Sequence, residues 1–92
     1  MIELKGTIEF DKKSYEAIMA ELEFHIIDTR AEQGCLKFEL IQSQQDKYTF
    51  LVDELFENKD AFQEHQKRVL LSKWGRLTRN AKRNYQVIER SE

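Results

Sequence analysis

The stretch from Thr29 to Leu40, Thr-Arg-Ala-Glu-Gln-Gly-Cys-Leu-Lys-Phe-Glu-Leu, joins the end of one hydrophobic period to the start of another. Upstream, Tyr15, Ile18, Met19, Leu22, His25, Ile26 and Thr29 recur at helical spacing, so one stripe of a helix faces a core. Downstream, Leu36, Phe38 and Leu40 alternate with other side chains, the pattern of a strand over residues 35–42. Gly34 stands at the joint, where a residue with positive φ can end a helix without steric clash. A chain that passes from period 3.6 to period 2 across one glycine is directed towards a helix packed on a sheet.

The other segments complete that sheet. Ile2, Leu4, Ile8 and Phe10 share one face of a first strand, and Asp11 or Ser14 can cap the helix that follows. After the polar turn Gln44-Gln45-Asp46, a third strand puts Tyr48, Phe50, Val52, Glu54 and Phe56 on one face. Leu51 and Leu55 lie on its other face, joined by Ile41 and Ile88, so both sides of the sheet carry apolar residues and the second side needs its own cover. Asn58 is a good N-cap for a second helical region reaching Arg83. Its apolar stripe slips in phase: Ala61, Phe62 and His65 share one side, Leu70, Trp74, Leu77 and Ala81 another. A break at residues 66–69 would let both stripes face the sheet. Residues 85–90 alternate as a last strand. The order is β-α-β-β-α-β, an α+β ferredoxin-like arrangement with an antiparallel sheet, in one domain over residues 1–92.

Composition limits the partners. One cysteine excludes an intramolecular disulfide, and there is no Cys/His cluster with zinc spacing, so no metal site is expected. The longest apolar runs are a few residues, and nothing resembles a signal peptide, which points to a cytoplasmic protein without a membrane partner. Residues 1–65 carry 15 acidic and 7 basic side chains, while residues 66–88 carry 7 basic and none acidic. The basic stretch reads as a solvated helix face or as an anion or nucleic-acid surface. The overall acidity and the aliphatic free sheet face, where an RNA-binding module would show aromatics, weigh against nucleic acid.

The order of elements, together with Thr29-Arg30-x-Glu32-x-Gly34-Cys35-Leu36-x-Phe38-Glu39-Leu40, then Glu54 and Phe56, then Ala61-Phe62-x-x-His65, resembles the antibiotic-biosynthesis-monooxygenase family over nearly the whole chain. The resemblance implies a homodimeric α/β barrel in which two ferredoxin-like sheets pack face to face, supplying the missing cover. It implies a cofactor-independent monooxygenase acting on a quinol or another phenolic, aromatic molecule, with no cofactor. Three departures stand out. Leu70 occupies the place of a second histidine that many relatives carry, Phe56 that of a tryptophan, and Gly75 that of the haem-ligating histidine of the haem-degrading branch. That branch also has a tryptophan where His65 stands, so haem degradation is not expected.

Oxygenation without metal or flavin needs an electron-rich substrate, deprotonated in a dry pocket. His65 is the candidate base, since an imidazole titrates near neutrality, and Glu54 could orient it or bind a substrate hydroxyl. Phe38, Tyr48, Phe56 and Trp74 are the candidate pocket walls. The residues alone also allow a plain core: a hydrogen-bonded buried histidine, Glu54 satisfying it or pairing with Arg30, and aromatics that fill space. On that alternative the chain is a non-catalytic dimeric ligand-binding or stress-response module. Cys35 reads as an inert thiol, His25 as a packing or interface residue, and Arg30 and Glu32 as serving the helix end or the dimer.

Overall fold

The computed structural model describes residues 1–91. Four strands, β1 (Ile2–Glu9), β2 (Cys35–Gln42), β3 (Thr49–Phe56) and β4 (Lys82–Glu89), form one sheet in the order β2-β3-β1-β4. Every neighbouring pair is antiparallel. Helices α1 (Tyr15–Arg30), α2 (Lys59–Leu71) and α3 (Lys73–Leu77) complete the ferredoxin-like α+β architecture.

Local chemistry sets the element ends. Asp11 accepts a hydrogen bond from Lys13 N and starts a short 3₁₀ turn over Lys12–Ser14, whereas Ser14 makes no side-chain cap. Gly34 takes φ +86° in the turn between α1 and β2. The Asn58 side chain accepts from Ala61 N at 2.8 Å and caps α2.

The helical region breaks at Ser72 and not at residues 66–69. Ser72 is extended, its hydroxyl donates to Val69 O at 2.7 Å and accepts from Gly75 N at 3.1 Å, so one residue closes α2 and opens α3. A Cβ on Gly75 would lie 2.1 Å from Val69 O, which leaves only glycine able to make this corner. The corner turns Trp74 into the core, and α2 needs no kink of its own.

The core between helices and sheet is built from Leu4, Ile8, Phe10, Ile18, Phe50, Val52 and Trp74. The register differs from strict alternation at one place. A bulge between Cys35 and Lys37 throws Leu36 out, leaving it 54% exposed, while Phe38 is buried. On the sheet face away from the helices, Leu51, Ile41 and Ile88 are 50%, 55% and 38% exposed. β4 begins three residues earlier than alternation suggests, because Lys82, Arg83 and Asn84 are all exposed on an edge strand and carry no apolar signal.

Candidate active site

Three elements converge on His65. The Asn58 cap fixes the start of α2, so His65 arrives two turns later on the side facing the sheet. Alternation along β3 puts Glu54 between buried Val52 and Phe56 on the same side. Glu32 comes from the turn after α1, and its carboxylate is shared. Oε1 lies 2.7 Å from His65 Nδ1, and Oε2 accepts from Arg68 Nε at 2.8 Å. Arg68 also donates to Thr29 Oγ1 at 2.9 Å. A carboxylate only accepts, so His65 Nδ1 carries the ring proton and Nε2 keeps its lone pair. That Nε2 faces Glu54 Oε1 at 3.7 Å.

Burial decides the charge states. Desolvation holds the His65 imidazole below its ordinary 6.5 even against the pull of Glu32, and Arg68 adds to the lowering. Burial, and then the negative charges of Glu32 and Asp53, push Glu54 up to about 8. At neutral pH, therefore, the pair is a neutral imidazole facing a neutral carboxylic acid, and the charge resides on Glu32 and Arg68. Glu54 Oε1 has no hydrogen-bond partner. Two polar atoms 3.7 Å apart can both reach a single oxygen at about 2.8 Å. The arrangement suits a hydroxyl placed between them.

The raised pKa of Glu54 has a stability consequence. Glu54 titrates near 4.5 when unfolded and about 8 when folded, so the folded chain holds the extra proton between those values. Its stabilising contribution is complete below pH 4.5 and is lost as pH rises through 8. Glu54→Gln removes that loss. Its advantage over wild type in chemical denaturation grows from pH 5 upwards and reaches on the order of 4 kcal/mol near pH 8.

A cavity of about 60 Å³ lies beside this pair, bounded by Leu4, Phe38, Val52, His25, Trp74 and Tyr85 among others. Phe38 and Trp74 thus reach it. Phe56 is fully buried behind His65, its ring 4.8 Å from the imidazole. Tyr48 does not come to this cluster: it packs edge-on against Tyr15 at 5.0 Å, six residues before Glu54, about 20 Å along an extended strand. Arg30 is engaged elsewhere, donating to Phe38 O at 3.0 Å, and does not pair with Glu54. Cys35 is half-buried, its thiol pushed up by burial and by the Glu32 charge, so it remains a thiol at neutral pH.

Two residues of the cluster could not be picked out from pattern. Glu32 lies in a turn, 33 residues before the histidine that it holds, and no spacing rule connects them. His25 lies flat against Trp74, 4.4 Å between ring centroids with 2° between planes, and borders the cavity. Burial, with Arg68 and His65 nearby, lowers it to about 3, so it too is neutral. The available signal was that both histidines of the chain sit on apolar helix stripes. Among the described residues no three His, Cys, Asp or Glu side chains gather as metal ligands, and no helix is long and apolar enough to cross a membrane.

Known structures share this architecture. PA3566 from Pseudomonas aeruginosa is 26% identical, with 99% of this chain and 94% of that one covered at a TM-score of 0.74. Rv0793 from Mycobacterium tuberculosis is 18% identical, with 99% and 95% covered at 0.79. A candidate antibiotic biosynthesis monooxygenase from Deinococcus radiodurans is 20% identical, with 100% and 94% covered at 0.75. No curated protein matches the chain by sequence. The profile of one family, antibiotic biosynthesis monooxygenase, matches residues 1–76. With that match over most of its length and the same fold throughout, the chain belongs to the antibiotic biosynthesis monooxygenase family.

Proposed function

We propose that the chain is a cofactor-independent monooxygenase of a quinol or other phenolic substrate, working as a cytoplasmic homodimer. Family membership supports a monooxygenase-like role in general terms. The observation that carries the finer reading is the Glu32–His65 hydrogen bond, which leaves Nε2 unprotonated beside a neutral Glu54 at a small cavity. His65 takes the phenolic proton, and Glu54 donates to the oxygen as negative charge develops there. The phenolate gives an electron to dioxygen, and the two radicals join as a ring peroxide. Loss of water then leaves a carbonyl: phenol plus O₂ becomes quinone plus H₂O, with dioxygen taking up all four electrons. Phe38 and Trp74 wall the site, Phe56 backs the imidazole, and Tyr48 serves the far end of the sheet.

Oxygen uptake with a panel of hydroquinones and naphthols, without added metal or flavin, tests this reading. Turnover of at least one is expected, and none across the panel overturns it. Glu32→Gln keeps the shape but removes the charge that orients the imidazole, and kcat should fall by roughly 100-fold with KM little changed.

The dimer is the cover for the free sheet face. Leu51, Ile41 and Ile88 form the contact with a second sheet about 10 Å away. In sedimentation, wild type should run as a dimer and Leu51→Lys as a monomer; a monomeric wild type refutes the arrangement.

The alternative is a non-catalytic ligand-binding module, whose ligand in the closed cavity would be smaller than a benzene ring. The cavity of about 60 Å³ is smaller than the roughly 150 Å³ that holds a benzene in a closed core. Ligand-dependent thermal shifts without oxygen uptake would establish that alternative.

A further inference from the structure

The small cavity shares a wall with a second space. A cleft of about 340 Å³ between α2, α3 and β4 shares Gln66, Val69 and Arg83 with it, so the two spaces meet along one wall. Arg76, Arg79 and Arg83 line the cleft. Among the described residues none of the three guanidinium groups forms an ion pair with a carboxylate. No acidic residue occurs between 66 and 88 to neutralise them. Arg83 is also held in place. Its Nη1 donates to Thr78 O and its Nη2 to Thr78 Oγ1, both at 3.0 Å, and Thr78 is buried with its hydroxyl donating to Trp74 O at 2.8 Å.

We infer that the cleft of Arg76, Arg79 and Arg83 binds a carboxylate carried on the phenolic ring, so that the substrate class is an aromatic hydroxy acid. This rests on the reading of His65 as the base that meets the phenol. Gln66, Val69 and Arg83 stand between the inner cavity and the cleft, so a ring that displaces Val69 carries its far substituent to guanidinium groups that no carboxylate among the described residues neutralises. A guanidinium fork matches a planar carboxylate with two parallel hydrogen bonds, and Arg83 needs no reordering to present its charge. The hydroxyl end then lies between His65 and Glu54, and the anionic end remains in the cleft. The Glu54 side stays free of a second negative charge.

The test compares a naphthol with a hydroxynaphthoate by calorimetric binding and by oxygen uptake, using wild type and an Arg76→Ala/Arg79→Ala double variant. Both substituted residues are exposed, so the fold is retained. In wild type the hydroxynaphthoate should bind roughly 10-fold or more tighter than the naphthol, with the preference shrinking as salt is raised. The double variant should lose that preference, its KM for the acid rising while kcat and the binding of the naphthol stay unchanged. Equal binding of acid and naphthol by wild type overturns the inference, as does a double variant that keeps the preference. So does a salt-sensitive RNA mobility shift that the double variant abolishes while the acid shows no preference. Preferential binding of the acid with no oxygen uptake upholds the cleft and refutes the catalytic reading instead.

Discussion

His65→Ala should lower both kcat and kcat/KM for a phenolic substrate by two to four orders of magnitude, the range general base catalysis contributes. The loss is of this size because no other group near the site can take the proton. Glu54 is already protonated at neutral pH, and its carboxyl is pushed up to about 8. His25 is stacked on Trp74 and lowered to about 3, too weak a base for a phenol. Arg68 Nε donates to Glu32 Oε2 and would stay paired with it after the substitution, so no buried charge is stranded. The variant should therefore retain its secondary structure. His65→Gln separates chemistry from packing, since its amide can still donate to Glu32 while offering no base. Oxygen-uptake rates for the two variants should be equally low, and circular dichroism spectra should match wild type.

Trp74→Ala is expected to cause the largest loss of stability. Its ring is 4% exposed, meets Phe10 edge-on at 5.7 Å and lies parallel to His25 at 4.4 Å. Removing a buried aromatic of this size costs about 3–5 kcal/mol, from lost transfer energy and from the void left behind. A small domain has only about 5–15 kcal/mol in total. The melting temperature should accordingly fall by roughly 12–40 °C, at about 4–8 °C per kcal/mol for a chain of this length. The substitution would also enlarge the cavity beside His65, so a variant that still folds should bind larger aromatic molecules than wild type. Scanning calorimetry with and without a naphthol checks both effects.

The strands, the first helix and the cap at Asn58 were legible because burial on one side writes itself as period 2 or period 3.6. So was the shared side of Glu54 and His65, which follows from those periods on β3 and α2. The break at Ser72 was harder. The slip in phase calls for a break, but its place depends on a hydroxyl serving two helix ends and on Gly75 fitting against Val69 O. Neither is a matter of hydrophobic pattern. Leu36 fits the alternation and yet is exposed, since a bulge shifts the register without leaving a mark in composition. Tyr48 fits the same face as Glu54, but periodicity assigns a face and says nothing of distance along the strand. By pattern Glu32 serves the helix end or the dimer, because its contact with His65 crosses 33 residues and depends on tertiary packing alone.

The most direct measurement is the pH profile of kcat/KM in oxygen uptake, for wild type and Glu54→Gln, with a phenol whose own hydroxyl stays protonated throughout. His65 must be neutral to accept the proton, so activity should fall on the acid side, below the ordinary imidazole value of 6.5. Glu54 must be protonated to stabilise the forming phenolate, so activity should fall again on the alkaline side near pH 8. Glu54→Gln keeps a neutral donor and should lose the alkaline limb while retaining the acid one. A profile without the acid limb, or an alkaline limb that survives in Glu54→Gln, would contradict the assignment of His65 and Glu54 as base and neutral donor.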